Sequence, residues 1–129
     1  MIYLAIPYAG QEGFSVEVAN KVSGELMKRG KVVFSPISHT HSIAEMCEMP
    51  VCWEFWEKQD KAMIDRSDEI LVVCIDGWDH SRGVIEELEH AESLGIKIGF
   101  LDVEEVAPDL MELRNRGANN FEPIQIELD

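Results

Sequence analysis

Glu69-Ile70-Leu71-Val72-Val73-Cys74-Ile75 runs into Asp76-Gly77-Trp78-Asp79-His80 and then into Ser81-Arg82-Gly83-Val84-Ile85-Glu86-Glu87-Leu88-Glu89-His90-Ala91. The first segment is a nearly unbroken apolar run, as expected of a strand buried on both faces. The second is turn chemistry. The third opens on a Ser at a helix-cap position and continues as a helix to Leu94. Ile96 to Leu101 then reads as another short strand. Strand, helix and strand in succession describe a parallel crossover.

Working toward the N-terminus, Ile2 to Ile6 is an apolar run ended by Pro7, which suits a buried first strand. Phe14, Val18, Val22 and Leu26 then mark an amphipathic helix that stops near Arg29-Gly30. Lys31 to Ser35 contains Val32-Val33-Phe34, a second strand. Pro36 to Met49 shows no period and reads as a long loop holding His39 and His41. Pro50 opens a helix carrying Trp53, Trp56, Met63 and Ile64 on roughly one face, with Asp60 near that face. Toward the C-terminus, Pro108 to Arg116 reads as a helix and Phe121 to Leu128 as a fifth strand or an ordered tail. The expected fold is α/β, a flavodoxin- or Rossmann-like three-layer sandwich over residues 1–129. A mostly parallel sheet of four or five strands carries helices on both faces. No internal repeat is visible.

The chain has 129 residues, the size of one domain, with 46% hydrophobic and 28% charged residues. Its formal charge is −14. That balance argues against nucleic acid as a partner, because phosphate backbones need clustered Lys and Arg, and against attraction to anionic membranes. No apolar run is long enough to span a bilayer, and Met1 to Ala5 lacks the pattern of an export signal. Cys47, Cys52 and Cys74 have no framework spacing and read as reduced thiols, which suggests a cytoplasmic setting. His39, His41, Cys47 and Cys52 do not match a usual zinc spacing, so neither a metal nor another cofactor is expected.

In a parallel sheet, ligands sit beyond the carboxyl ends of the strands where the strand order reverses. The loops after Ile6, Ser35 and Ile75 would meet there, which selects Tyr8, His39, Asp76 and Ser81; Asp79 and Arg82 lie in the same turn. Ser81 caps a helix whose N-terminus attracts anions, and Gly83 lets a ligand approach the backbone. Glu86 and Glu87 follow on the first turns, where the helix dipole favours the ionised form. Each feature also has a plainer reading: Ser81 as an ordinary cap, the glutamates as a solvated face, Trp53 and Trp56 as core.

Three motifs in order carry a family resemblance: Ile2-Tyr3-Leu4-Ala5, then Asp60 ahead of Ser67-Asp68-Glu69, then Ser81-x-Gly83-Val84-x-x-Glu87-x-x-x-Ala91. Over residues 2 to about 100 the chain resembles the nucleoside 2-deoxyribosyltransferase-like superfamily, which includes the 2'-deoxynucleoside 5'-phosphate N-hydrolases. Within it, the chain looks similar to a branch of small bacterial and phage proteins. The resemblance implies that Glu87 attacks C1' of a deoxyribosyl group and displaces the base. It implies that Asp60 protonates the departing base, with Asp65 as its understudy, and that Tyr3 orients Glu87. Ser81 would hold the 5' end of the sugar. The glutamate of the motif falls on Glu87, and a helix turns Glu86 about 100° away. The resemblance also implies a homo-oligomer. Ile6-Pro7-Tyr8-Ala9-Gly10 departs from the Ser- and Arg-bearing loop of the phosphate-specific hydrolases, which leaves open whether the ligand is a nucleoside or a nucleotide. Arg82 or a histidine at 39–41 is the candidate phosphate partner. Two rival expectations remain: a non-catalytic nucleotide-binding module on the same fold, and an acidic interaction protein.

Overall fold

Strands that are apolar on both faces must be covered on both, and the helices between them supply the cover. The computed structural model describes residues 1–110. The elements run β1 (Ile2–Ala5), α1 (Glu12–Lys28), β2 (Val33–Phe34), α2 (Pro36–Met46), α3 (Trp53–Ile64), β3 (Glu69–Val73), α4 (Arg82–Leu94), β4 (Lys97–Leu101) and α5 (Val103–Val106). The four strands make one sheet in the order β2-β1-β3-β4, and every pairing is parallel.

Register fixes which side chains face which layer. Tyr3 lies beside Phe34 of β2 and Ile70 of β3, and Leu4 beside Leu71. Because successive strand residues alternate faces, Ile2, Leu4 and Ile6 join Val18, Val22 and Leu26 of α1 and Val103 and Val106 of α5. Tyr3 and Ala5 point the other way, into a core with Ile64 of α3 and Val84 and Ala91 of α4. The result is an α/β Rossmann-like three-layer sandwich, as the strand–helix alternation predicts.

Helix ends follow local chemistry. Ser81 caps α4 by accepting from Val84 N–H at 3.3 Å, and Gly95 ends that helix at φ 70°, a conformation that costs glycine little. Asp102 caps α5 by accepting from Glu104 N–H at 3.0 Å.

Three expectations need correction. Pro36 to Met49 is not a loop: α2 occupies Pro36–Met46. Ser35 caps it by accepting from Ser38 N–H at 3.3 Å, Pro36 sits in its first turn, and Pro36, Ile37 and Ala44 are its buried residues. The following helix begins at Trp53, with Cys52 at the cap position, and leaves Pro50 outside. In the 108–116 stretch, Pro108–Leu110 forms a short 3₁₀ turn; the rest of it, and the expected strand at 121–128, lie outside the described residues. The helix α5 was not expected. Among the described residues, no helix is long and apolar enough to cross a membrane.

From β1 the chain steps to β2 on one side, then returns to β3 on the other. The strand order therefore reverses between β1 and β3, and the loops leaving their carboxyl ends part to form a crevice.

Candidate active site

A cavity of about 500 Å³ opens at that reversal point, within the range of roughly 300–1,000 Å³ usual for small ligands. Pro7 and Tyr8 line it from the β1 exit, Ile37 and Thr40 from α2, and Trp53, Trp56 and Asp60 from α3. Ser81, Arg82, Gly83 and Glu87 line it from the start of α4. The Gln11 side-chain amide donates to the Asp76 carbonyl at 2.8 Å, tying the loop after β1 to the one after β3.

The floor is a buried polar pair. Val84, Glu87 and Ala91 share the inward face of α4, and this spacing carries Glu87 down onto the sheet with only 5% of its surface exposed. Glu86, one position earlier, is only half-buried. The Tyr3 hydroxyl, completely buried on the same side of β1, donates to Glu87 Oε2. Burial pushes the Glu87 carboxyl well above its ordinary range, and the charge of Asp60 adds to this; the bond from Tyr3 opposes it. This reverses the expectation from the helix dipole. Glu87 lies past the first turn of α4, which carries no acidic residue, and the dipole's influence fades beyond that turn. Desolvation therefore dominates.

Asp60, half-buried on α3, is raised by burial from 3.8 to about 7. The Tyr3 phenol is pushed well above 10 by burial first, then by the Glu87 and Asp60 charges, so it stays a donor. Two interacting carboxyls that both resist ionisation bind protons as a pair. Both carboxyls of the floor therefore hold their protons more tightly than free carboxyls do.

Near the mouth, the Tyr8 hydroxyl is hydrogen-bonded to His41 Nδ1 at 2.6 Å, and the two rings meet edge to face. His41 Nε2 lies 3.0 Å from Glu45 Oε1, one helical turn further along α2. Burial raises the Tyr8 phenol above 10, helped by the Glu12 and Glu45 charges. Arg82 Nη1 is paired with Glu54 Oε1, linking the starts of α4 and α3. Trp53 is buried, and the Trp56 indole N–H donates to the Pro50 carbonyl at 2.8 Å. A Cβ added at Gly83 would meet Trp53 Cε3 at 3.6 Å, an ordinary contact, so the glycine widens the cavity without being sterically required.

Of the residues expected from sequence, Tyr8, Asp60, Ser81, Arg82, Gly83 and Glu87 line the cavity, and Tyr3 supports Glu87 from beneath. His39 and Asp79 do not. His39 is exposed, its ring against Phe34. On a helix, positions 37, 40, 41 and 44 share a face that 39 does not, so His41 rather than His39 meets Tyr8 of the cavity wall. Asp79 is exposed beside His80, and that turn presents Gly77 and His80 to the cavity instead. Asp65, the understudy of Asp60, is 2.7 Å from His90 Nε2 and joins α3 to α4 outside the cavity. Sequence reasoning missed Thr40, Glu45 and Glu54. The Ser35-Pro36 cap signal at the start of α2 would have brought the first two into view. Among the described residues, no group of three or more His, Cys, Asp or Glu side chains is gathered to hold a metal.

The chain belongs to the family described as Domain of unknown function (DUF1937), whose model matches residues 1–102. The match takes in the whole sheet and every residue lining the cavity, and stops short of α5. No curated protein matches the chain.

Proposed function

We propose that the protein cleaves or exchanges the N-glycosidic bond of a 2'-deoxynucleoside or its 5'-monophosphate through a covalent intermediate on Glu87. The observation that carries this reading is the buried Tyr3–Glu87 pair beside Asp60, at the floor of a cavity walled by Trp53 and Trp56.

Oxocarbenium-like chemistry needs an anion close to the anomeric carbon and an acid close to the leaving group. In the first step a Glu87 oxygen bonds to C1', the C1'–N bond breaks, and its electron pair passes to the base nitrogen. That nitrogen takes the proton of Asp60, which burial retains up to about 7. In the second step water, deprotonated by the Asp60 carboxylate, or a second base attacks C1' and frees Glu87. Tyr3, donating to one carboxylate oxygen, biases the shared negative charge toward Glu87 and fixes its orientation. The indoles supply broad apolar faces suited to a nucleobase. A cytoplasmic setting belongs to this reading, since exposed thiols such as Cys47 and Cys52 stay reduced there.

The test is to incubate the protein with the four 2'-deoxynucleosides and their 5'-monophosphates and to quantify free base. Base release by the wild type and its loss in Glu87→Ala is the expected result. Equal release by both proteins removes Glu87 from the mechanism. No release from any compound, with ligands that still raise Tm, replaces the enzyme by a binding module.

A further inference from the structure

The Tyr8–His41–Glu45 chain is not used by the glycosidic step, and its chemistry restricts what the cavity can recognise. Neutral imidazole has one N–H and one bare nitrogen. In the neutral form of His41, the Glu45 carboxylate, which can only accept, takes the N–H of Nε2, 3.0 Å from Glu45 Oε1, and leaves Nδ1 bare. The Tyr8 hydroxyl, 2.6 Å from Nδ1, must therefore donate to it. Burial and the nearby Glu12 and Glu45 charges keep that phenol protonated. Its single proton is committed to the wall, and only oxygen lone pairs remain to face the cavity, which Tyr8 lines.

Charge points the same way. Glu54, Asp60 and Glu87 bring three carboxyl groups to the lining. The basic side chains among the lining residues are Arg82 and His80, and each already faces a carboxylate: Arg82 that of Glu54, His80 that of Asp79 at 3.8 Å. A phosphate would have to displace one of these pairs and would meet the acceptor face of Tyr8. The formal charge of −14 adds a long-range field of the same sign.

We infer that the cavity takes an uncharged nucleoside in preference to its 5'-phosphate, and that Tyr8, oriented by His41 and Glu45, accepts a hydrogen bond from a hydroxyl or amino group of that nucleoside. Tyr8 is the binding residue; His41 and Glu45 position it. The inference rests on the N-glycosidic reading for its ligand class, so its test separates binding from turnover.

Binding of the four 2'-deoxynucleosides and their 5'-monophosphates is measured by calorimetry on full-length Glu87→Gln protein. The ligand-induced rise in Tm of the wild type is recorded in parallel. At least one nucleoside is expected to bind tenfold or more tightly than its monophosphate, because like charges brought together oppose binding. Tyr8→Phe is expected to weaken that nucleoside about fivefold. A 5'-deoxy analogue that binds both proteins equally identifies the 5'-hydroxyl as the donor; a loss that persists with it assigns the donor to the 3'-hydroxyl or a base amino group. Glu45→Ala should repeat the loss, and Glu45→Gln, which keeps an acceptor for Nε2–H, should restore affinity. A monophosphate that binds as tightly as its nucleoside, or a Tyr8→Phe protein that binds that nucleoside as tightly as the wild type, overturns the inference while the glycosidic reading stands. Selective nucleoside binding with no base release by the wild type leaves the inference standing and removes the catalytic reading.

Discussion

Tyr3 comes from within β1 and Tyr8 from its exit, and each hydrogen-bonds a titratable partner, yet the two sit in opposite circumstances. Tyr3 is sealed beneath the cavity with Glu87 and has no surface at all, whereas Tyr8 is half-buried on the wall and backed by His41. In the dry floor, the cost of removing charge from water governs every group, and Tyr3, Glu87 and Asp60 all hold their protons more tightly than they would in water. On the wall, water and a neighbouring helix share the load, and the arrangement of donors and acceptors matters more than the shift of any one group. In the proposed function, depth thus gives one residue type a chemical role below and a recognition role above.

The largest effect that would break this contrast is on turnover. Glu87→Gln is expected to lower base release by roughly 10³-fold or more, with an unchanged circular dichroism spectrum; a variant retaining half of the rate would mean that the floor does no chemistry. Asp60→Asn should follow, with a loss of about 10²-fold in kcat. The wild-type rate should fall as pH rises through about 7, where Asp60 gives up its proton, and Asp60→Asn should lack that alkaline limb.

The same group makes a claim about stability. The folded Asp60 carboxyl is raised from 3.8 to about 7, so the folded state binds its proton more tightly than the unfolded state. The stability it contributes is full below 3.8 and is lost as pH rises through about 7. Calorimetric Tm values taken across that window should fall for the wild type relative to Asp60→Asn. Parallel curves would refute burial as the cause of the shift.

Smaller still is the difference between the two tyrosines. Tyr3→Phe leaves a fully buried carboxyl without its donor and should cost about 1–3 kcal/mol in urea unfolding. Tyr8→Phe, at a site open to water, should cost less than about 1 kcal/mol. Equal costs would erase the distinction between floor and wall. Gly83→Ala should change stability by no more than about 0.5 kcal/mol, since the added carbon meets Trp53 at an ordinary contact distance. A larger loss in the same urea series would show that the start of α4 has no room to spare.

The α/β class, the parallel strands and the helix that carries Ser81 and Glu87 were legible in the sequence alone. Those follow from local rules: unbroken apolar runs, a Ser cap, a Gly stop and a helical spacing of buried residues. The family resemblance placed the motif's glutamate on Glu87, and helix geometry turns Glu86 about 100° away from it. The proton affinities of the site came from packing between segments. The helix dipole alone favours an ionised Glu87, whereas burial under α3 and β1 raises its carboxyl, with the Tyr3 hydrogen bond opposing that rise. Tertiary structure likewise chose His41 over His39 and paired Arg82 with Glu54, since α2 packs beside the β1 exit and α3 beside α4. Desolvation and cross-element contact belong to the space between segments, and no single stretch of sequence carries them.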